Sequence, residues 1–388
     1  MVKLPKGISK NVFFMGLVSL FTDISSEMIF PILPLFMANV LGINKSLIGL
    51  IEGVAESTAS LLKTFSGWLS DKLKKRKVLV LLGYGFSTIT KPFLALSTAW
   101  QHVFILRFLE RTGKGIRTSP RDALVAASTQ KKFRGKAFGL NRAMDRIGAI
   151  AGTLITFWLL TKFVDNYRLV FWLSFIPAAL AVLMIIFFVK DVKKKNDNNK
   201  IFRFDWKGLS TDYKKFIVIS SLFGIANFSY AFLILKANDM GVAAKLIPLI
   251  YLVYSLFFAV LAIPAGTLSD KIGRKKVLGI GYLAFSLMCF GFVYFKSWYF
   301  AWLLFALYGL SLAFTDAISR AFVTDIVKEE ERGTAIGIQY TCEGLAAFPA
   351  SFIFGSLWNF SGSNTAFLFA AVLSLASSLL LFILLRKK

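Results

Sequence analysis

At 388 residues, 56% of them hydrophobic and 41 of them phenylalanine, with a mean hydropathy of +0.65, the chain is too apolar for a soluble protein of its size. A net charge of +25 would suit a nucleic-acid binder, but the basic residues lie between apolar stretches instead of on one soluble surface, which argues against nucleic acid and for a lipid bilayer as the partner. Cys289 and Cys342 inside apolar stretches, a single histidine at His102 and no phosphate-binding glycine loop exclude a disulfide scaffold, a His-rich metal site and a bound nucleotide, so no cofactor is expected.

A bilayer core takes roughly 20 apolar residues per helical span, and stretches of that kind recur from end to end. Lys3, Lys6 and Lys10 precede the first, as in a signal peptide, but its apolar run extends from Val12 to Gly42 and reads as a retained span. The pattern predicts an all-α membrane protein of twelve transmembrane helices, at 12–41, 46–70, 78–97, 101–128, 134–161, 168–190, 215–236, 246–269, 277–295, 299–326, 333–359 and 364–385. Lys and Arg cluster in alternate connections, at 71–77, 130–136, 190–215 and 270–276, and again at Arg386, Lys387 and Lys388. That bias predicts cytoplasmic N and C termini. The long polar segment 191–213 falls at mid-chain and divides an N-terminal six-helix bundle, 1–190, from a C-terminal one, 214–388.

Ionisable residues inside spans carry the chemistry, because each costs at least about 2.5 to 3.5 kcal/mol at the bilayer centre unless it is partnered or wetted. In the first span Asp23 and Glu27, four apart, share a face, and Pro31 and Pro34 bend the outer part. Glu52, Glu56 and Lys63 share a face of the second, and Lys91 lies in the third. The fourth carries Arg107, Glu110, Lys114, Arg117 and Arg121 at spacings of 3, 4, 3 and 4, a stripe that must line a cavity or an interhelical seam. The fifth adds Arg142, Asp145 and Arg146, which with Arg121 form either a static salt-bridge network or a substrate contact. The second half has fewer, chiefly Lys236, Asp316, Arg320 and Glu343. They lie among aromatics such as Tyr230, Tyr251, Tyr254 and Tyr308, which either pack or wall an amphiphilic ligand.

The chain repeats itself. GWLSDKLKKRK at 67–77 matches GTLSDKIGRKK at 266–276, and RGKAFGLNRAMD at 134–145 matches RGTAIGIQYTCE at 332–343, which sets Asp145 opposite Glu343. Gly67, Asp71, Lys72, Lys75 and Arg76, and again Gly266, Asp270, Lys271, Gly273, Arg274 and Lys275, fit G-x-x-x-D-[RK]-x-G-[RK]-[RK], with Lys74 at one glycine position. This pattern resembles the loop signature of the major facilitator superfamily. The resemblance implies two pseudo-symmetric six-helix bundles, a central cavity with alternating access, and a monomer. It also implies a conformational latch of Gly67, Asp71, Lys75, Arg76, Gly266, Asp270, Arg274 and Lys275, with Asp122 as a further partner. Arg107, Glu110 and Gly113 align with the fourth-helix signature R-x-x-Q-G-x-G, although Arg111 takes a glycine position. Gly139, Gly148 and Gly152 loosely match the fifth-helix antiporter signature without its proline. The resemblance to drug and proton antiporter-like bacterial members implies a proton-coupling group of Asp23, Glu27 and Arg107, to which Asp145 is added.

These features lead to the expectation of a secondary active transporter of a small organic solute, proton-coupled and working as an exporter, in the cytoplasmic (inner) membrane of a bacterium or archaeon. Fixed cations favour an anionic or zwitterionic substrate, with Glu56, Lys63, Lys91, Lys114, Arg117, Arg142, Tyr230 and Glu343 as candidate contacts. Multidrug efflux of lipophilic compounds, proton-coupled import and passive uniport are the alternatives. A membrane enzyme would need a nucleophile beside a base, or a metal cluster, and the sequence offers neither.

Overall fold

Without water to satisfy backbone amides, an apolar segment in lipid must bond internally, so each of these stretches becomes a helix. The computed structural model describes residues 7–73, 75–192 and 210–385; the middle of the polar linker, residue 74 and the basic tail Arg386, Lys387 and Lys388 lie outside the described residues, as do the side chains of Thr64, Trp68, Asp71, Lys72, Leu73 and Glu330. The described chain is all-α. The first pass combines α1 (Lys10–Ile29), which stops ahead of Pro31, the single turn α2 (Leu33–Leu35) with Pro34 in its first turn, and a π turn at Phe36–Val40. Five unbroken passes follow: α3 (Lys45–Leu73), α4 (Arg76–Ala95), α5 (Trp100–Ala127), α6 (Arg134–Lys162) and α7 (Tyr167–Phe188).

The seventh pass is interrupted, which the sequence reading does not anticipate. There α8 (Thr211–Ala226) ends at Asn227, and α9 (Tyr230–Asp239) restarts behind Ser229, whose Oγ accepts from Ala231 N at 3.3 Å. The chain then runs through α10 (Ile247–Ile272), α11 (Arg274–Tyr294), α12 (Tyr299–Ile326), α13 (Arg332–Ser361) and α14 (Ser363–Leu384). Among the described residues, nine passes are long and apolar enough to cross a membrane by length and composition. The pass formed by α5 is not among them, because Arg107, Glu110, Arg111, Lys114, Arg117, Arg121 and Asp122 all lie along it. Large apolar side chains such as Phe93, Trp158, Phe187, Ile263 and Ile383 point outward, as suits lipid.

The helices form two compact units, Met1–Leu41 with Thr58–Asn199, and Gly42–Ser57 with Lys200–Lys388. In the first unit α1 lies against α6 and α7, and α4 against α5 and α7. Small residues allow the close approach: a Cβ at Gly148 or Gly152 of α6 would strike the carbonyl of Leu20 or Ile24 on α1, and at the α4–α5 crossing a Cβ at Gly83 or Gly113 would strike the other's carbonyl. Val12, Met15, Val18, Val80, Tyr84 and Leu124 fill the core between them.

In the second unit α10 lies on α12, α11 on α12 and α14, and α8 on α13 and α14. The segment Gly42–Ser57 groups here because Gly49 and Gly53 bring its backbone against Ser351 and Phe348 of α13, and Ser57 Oγ donates to Gly344 O at 2.6 Å.

The repeat is visible in individual contacts. Arg76 Nη1 donates to Ala123 O at 3.3 Å, and Arg274 Nη1 donates to Ala321 O, both partners 198 residues on. Tyr84 and Tyr282 are both buried. Where Gly113 abuts the Gly83 carbonyl, Ser311 donates its Oγ to Gly281 O at 2.9 Å. The connections ahead of Arg76 and Arg274 differ in length. Gly273 alone joins α10 to α11, at a φ of 95° that favours glycine, whereas residues 74 and 75 join α3 to α4 and Lys75 has a φ of −114°.

Gly152→Val is expected to destabilise the first unit by about 1 to 3 kcal/mol through overpacking, read as a lower unfolding midpoint of purified protein. Gly139→Ala, at a position with nothing within 4 Å, is expected to leave that midpoint in place.

Candidate functional site

The charged stripe of α5 turns into the first unit. Arg107 and Arg111 are each 1% exposed and Glu110 is 5% exposed, a burial that only mutual pairing makes tolerable. Glu110 Oε2 accepts from Arg107 Nη1 at 2.9 Å and lies 3.4 Å from Arg111 Nε. Both guanidinium groups also face the ring of Phe30, at 5.5 and 4.9 Å from its centroid. About two turns further, Arg117 lies 4.3 Å from the centre of the Tyr84 ring and donates to Ser87 Oγ at 2.5 Å. The Gly83–Gly113 crossing makes this possible by bringing α4 close enough for Ser87 to reach Glu110 O at 3.3 Å.

Lys91 of α4, 2% exposed, donates to Ser25 Oγ and reaches Ser26 Oγ at 3.5 Å, while Ser25 donates on to Ser174 O of α7. Glu110, Arg117, Asp23 and Glu27 are its electrostatic neighbours. Ser26, Phe30, Thr90, Lys91, Arg107 and Glu110 line one narrow crevice.

A second cluster joins α1, α5 and α6. Asp23 packs beside Gly148 and is within electrostatic reach of Asp145, Arg121, Arg117 and Lys114. Arg121 reaches Asp122 at 3.1 Å, Ser19 Oγ at 3.3 Å and Asp145 at 3.9 Å, and Arg142 lies 3.6 Å from the other Asp145 oxygen. Arg121 is therefore a centre of this cluster as much as either carboxylate. Lys63 contributes its carbonyl to Ser119 Oγ at 2.8 Å.

In the second unit, Tyr230, Tyr251, Tyr254 and Tyr308 form a continuous series with ring centres 5.5, 4.8 and 5.3 Å apart. Glu56 is an electrostatic neighbour of Tyr308, and the nearby Glu52 accepts from Ser229 Oγ at 3.4 Å. Glu343 accepts from Gln339 Nε2 at 2.8 Å. At the positions corresponding to Arg107, Glu110, Lys114, Arg117 and Arg121, this unit has Phe305, Tyr308, Leu312, Thr315 and Ser319.

The cations at helix ends each tie down their own unit. Lys77 Nζ donates to Ile186 O at 2.9 Å near the end of α7, and Lys275 Nζ donates to Phe382 O at 3.1 Å and Leu385 O at 2.6 Å near the end of α14. Arg274 pairs with Asp325 at 2.8 Å and with Asp270 at 3.7 Å. Lys75 is exposed, Gly67 lies against Ser119, Gly266 has open space around it, and the side chain of Asp71 lies outside the described residues. By contact geometry, Arg76 and Lys77 occupy the places that Arg274 and Lys275 hold in the second unit. The loop pattern aligns Lys75 and Arg76 there, and the additional residue of the first connection accounts for the shift.

Arg111, Lys77, Asp325, Gln339 and Ser319 are not among the contacts expected from the sequence. Arg111 could have been found from its place four residues after Arg107 and beside Glu110. Lys77 and Asp325 give no separate signal among the other charges at helix ends. Among the described residues, no group of three or more His, Cys, Asp or Glu is placed to hold a metal ion.

Residues 15–234 and 215–388 match the family model described as Major Facilitator Superfamily. An uncharacterised MFS-type transporter of Methanocaldococcus jannaschii is 42% identical over 380 residues, 96% of this chain and 94% of that protein. A multidrug resistance protein of Photorhabdus laumondii is 21% identical over 294 residues, 74% and 71% of the two chains. The solved nucleoside transporter NupG superposes with a TM-score of 0.80 at 15% identity, over 97% of this chain and 99% of that one.

Glu110→Gln leaves two buried guanidinium groups sharing a neutral amide. It is expected to cost about 3 to 5 kcal/mol of stability, measured by unfolding of the purified protein, with Glu110→Asp intermediate.

Proposed function

Because the chain belongs to the major facilitator superfamily, and is accordingly a multi-pass membrane transporter and not an enzyme, we propose that it is a proton-coupled secondary carrier for a small organic solute bearing a carboxylate or phosphate. The observation that carries this reading is a surplus of charge. On α1, α4, α5 and α6, the cations Arg76, Lys77, Lys91, Arg107, Arg111, Lys114, Arg117 and Arg121 stand buried or half-buried with five anions, Asp23, Glu27, Glu110, Asp122 and Asp145, three positive charges in excess. Unbalanced charge in a low-dielectric bundle is costly, and an anionic solute supplies the counter-charge when it binds.

Proton coupling follows from the same cluster. Asp23 and Asp145 approach Arg121 from different helices, so protonation of one carboxylate shifts the hold of Arg121 towards the other. A proton thereby gains a differential affinity for two conformations, which is what coupling requires. Glu27 and Arg107, each beside Lys91 or its crevice, form the second part of the coupling group. Under this reading the carrier is a monomer in the cytoplasmic membrane, with both termini in the cytoplasm, and exchanges protons for exported solute by alternating access. Efflux of lipophilic drugs is the second reading. It is favoured by the tyrosine series of the second unit and by the multidrug resistance protein among the relatives.

A thermal-shift screen of purified protein against carboxylates, phosphates, zwitterions and lipophilic cations distinguishes the two. Carboxylates or phosphates are expected to raise the midpoint in the wild type and much less in Lys91→Met or Arg117→Gln; a response to lipophilic cations alone would support drug efflux. In proteoliposomes containing a pH dye, the solutes found in this way are expected to drive proton flux that falls at least about tenfold, the effect of roughly 1.4 kcal/mol, in Asp23→Asn and Asp145→Asn. Wild-type flux in both variants would refute the coupling assignment.

A further inference from the structure

The crevice between α1, α4 and α5 is lined by cations in two different situations. Arg107 reaches the Glu110 carboxylate, which Arg111 also approaches, so the charge of Glu110 is already committed. Lys91 differs. Its hydrogen bonds go to hydroxyls, and Glu110, Asp23 and Glu27 act on it as electrostatic neighbours, with no ion-pair contact to it among the described residues. A buried ammonium held in this way is costly.

Ser25, fully buried, has one hydroxyl hydrogen and gives it to Ser174 O of α7. Towards Lys91 it is therefore an acceptor only. Through Ser25, Lys91 of α4 is tied to α1 and α7 and kept out of contact with Glu110. Ser26 Oγ takes a second N–H at 3.5 Å, which leaves the third donor of the ammonium. The hydrogen of Ser26 has no acceptor among the described residues, whereas Thr90, also on the crevice, commits its own to Ser87 O at 3.0 Å. One N–H and one O–H thus remain beside a crevice whose apolar walls are Ile29, Phe30 and Leu94.

We propose, resting on the anion reading above, that this crevice seats the carboxylate of a monoanionic solute with an apolar body, and that Ser25 is the positioning residue that holds Lys91 for it. Two donors on neighbouring groups match the two oxygens of a carboxylate, and Ile29, Phe30 and Leu94 cover hydrocarbon. A second negative charge on the ligand would face Glu110 in the same crevice, with Asp23 and Glu27 also in electrostatic reach of Lys91. Like-charge repulsion therefore selects against a phosphate dianion.

The test is thermal unfolding of the purified full chain at constant ionic strength in sodium chloride, titrated with sodium benzoate or with sodium phosphate at a pH that keeps phosphate a dianion. Benzoate is expected to give a saturable rise of about 2 °C or more, and phosphate none. Ser25→Ala is expected to raise the Kd for benzoate by about threefold to tenfold, and Ser25→Thr, which keeps the hydroxyl, to restore it to within about twofold. If Ser25→Ala does not fold, Ser26→Ala replaces it, with the same weakening expected from the lost donor. A rise with phosphate as large as with benzoate overturns the carboxylate assignment and leaves the anion reading standing, whereas a response to neither overturns both. A benzoate Kd unchanged in Ser25→Ala, or raised equally in Ser25→Thr, overturns the positioning role of Ser25.

Discussion

A guanidinium group in a membrane-embedded bundle needs a carboxylate, an aromatic face or water, and the first unit is organised around meeting that need. Glu110 supplies one carboxylate to two arginines, and Phe30 supplies one ring to the same pair. The arrangement depends on backbone proximity more than on the charges themselves. Gly83 and Gly113 let α4 and α5 touch, and Gly148 and Gly152 let α6 reach α1. Without those four positions, Ser87, Tyr84 and Asp145 would stand too far from the stripe to partner it. Small residues at helix crossings and long charged residues one turn away thus act as a single device.

The two units show what a duplicated scaffold retains and what it releases. Contacts that hold helix ends persist: Arg76 and Arg274 reach equivalent carbonyls, and Lys77 and Lys275 cap equivalent helices. The interior diverges. Arg107, Glu110 and Arg117 give way to Phe305, Tyr308 and Thr315, and Lys91 gives way to Cys289, a buried free thiol. Helix-end contacts secure the packing, so both copies need them. The interior faces carry chemistry, and there one copy became electrostatic and the other aromatic.

Much of this was legible in the sequence because hydropathy and charge spacing are local. The helical passes, the proline bend after Ile29 and the inward-turned stripe of α5 follow from patterns within about 30 residues. The break at Asn227–Ser229 was not legible, since no proline or glycine marks it; it is stabilised by the Ser229 cap and by contacts from distant Glu52 and Ser351. Partner choice was also hidden. Spacing put Arg107 and Glu110 on one face, but only the fold shows Arg111 sharing that carboxylate and Arg121 gathering Ser19, Asp122 and Asp145 from three directions.

The unequal junctions before α4 and α11 set different evolutionary latitude on the two copies. A single-residue bridge in a left-handed conformation admits little except glycine, so position 273 is constrained by stereochemistry whatever its role in transport. In the longer bridge before Arg76, Lys75 has a φ of −114°, which any L-residue adopts. The first copy can therefore carry a cation at its junction, where the second holds a residue without a side chain.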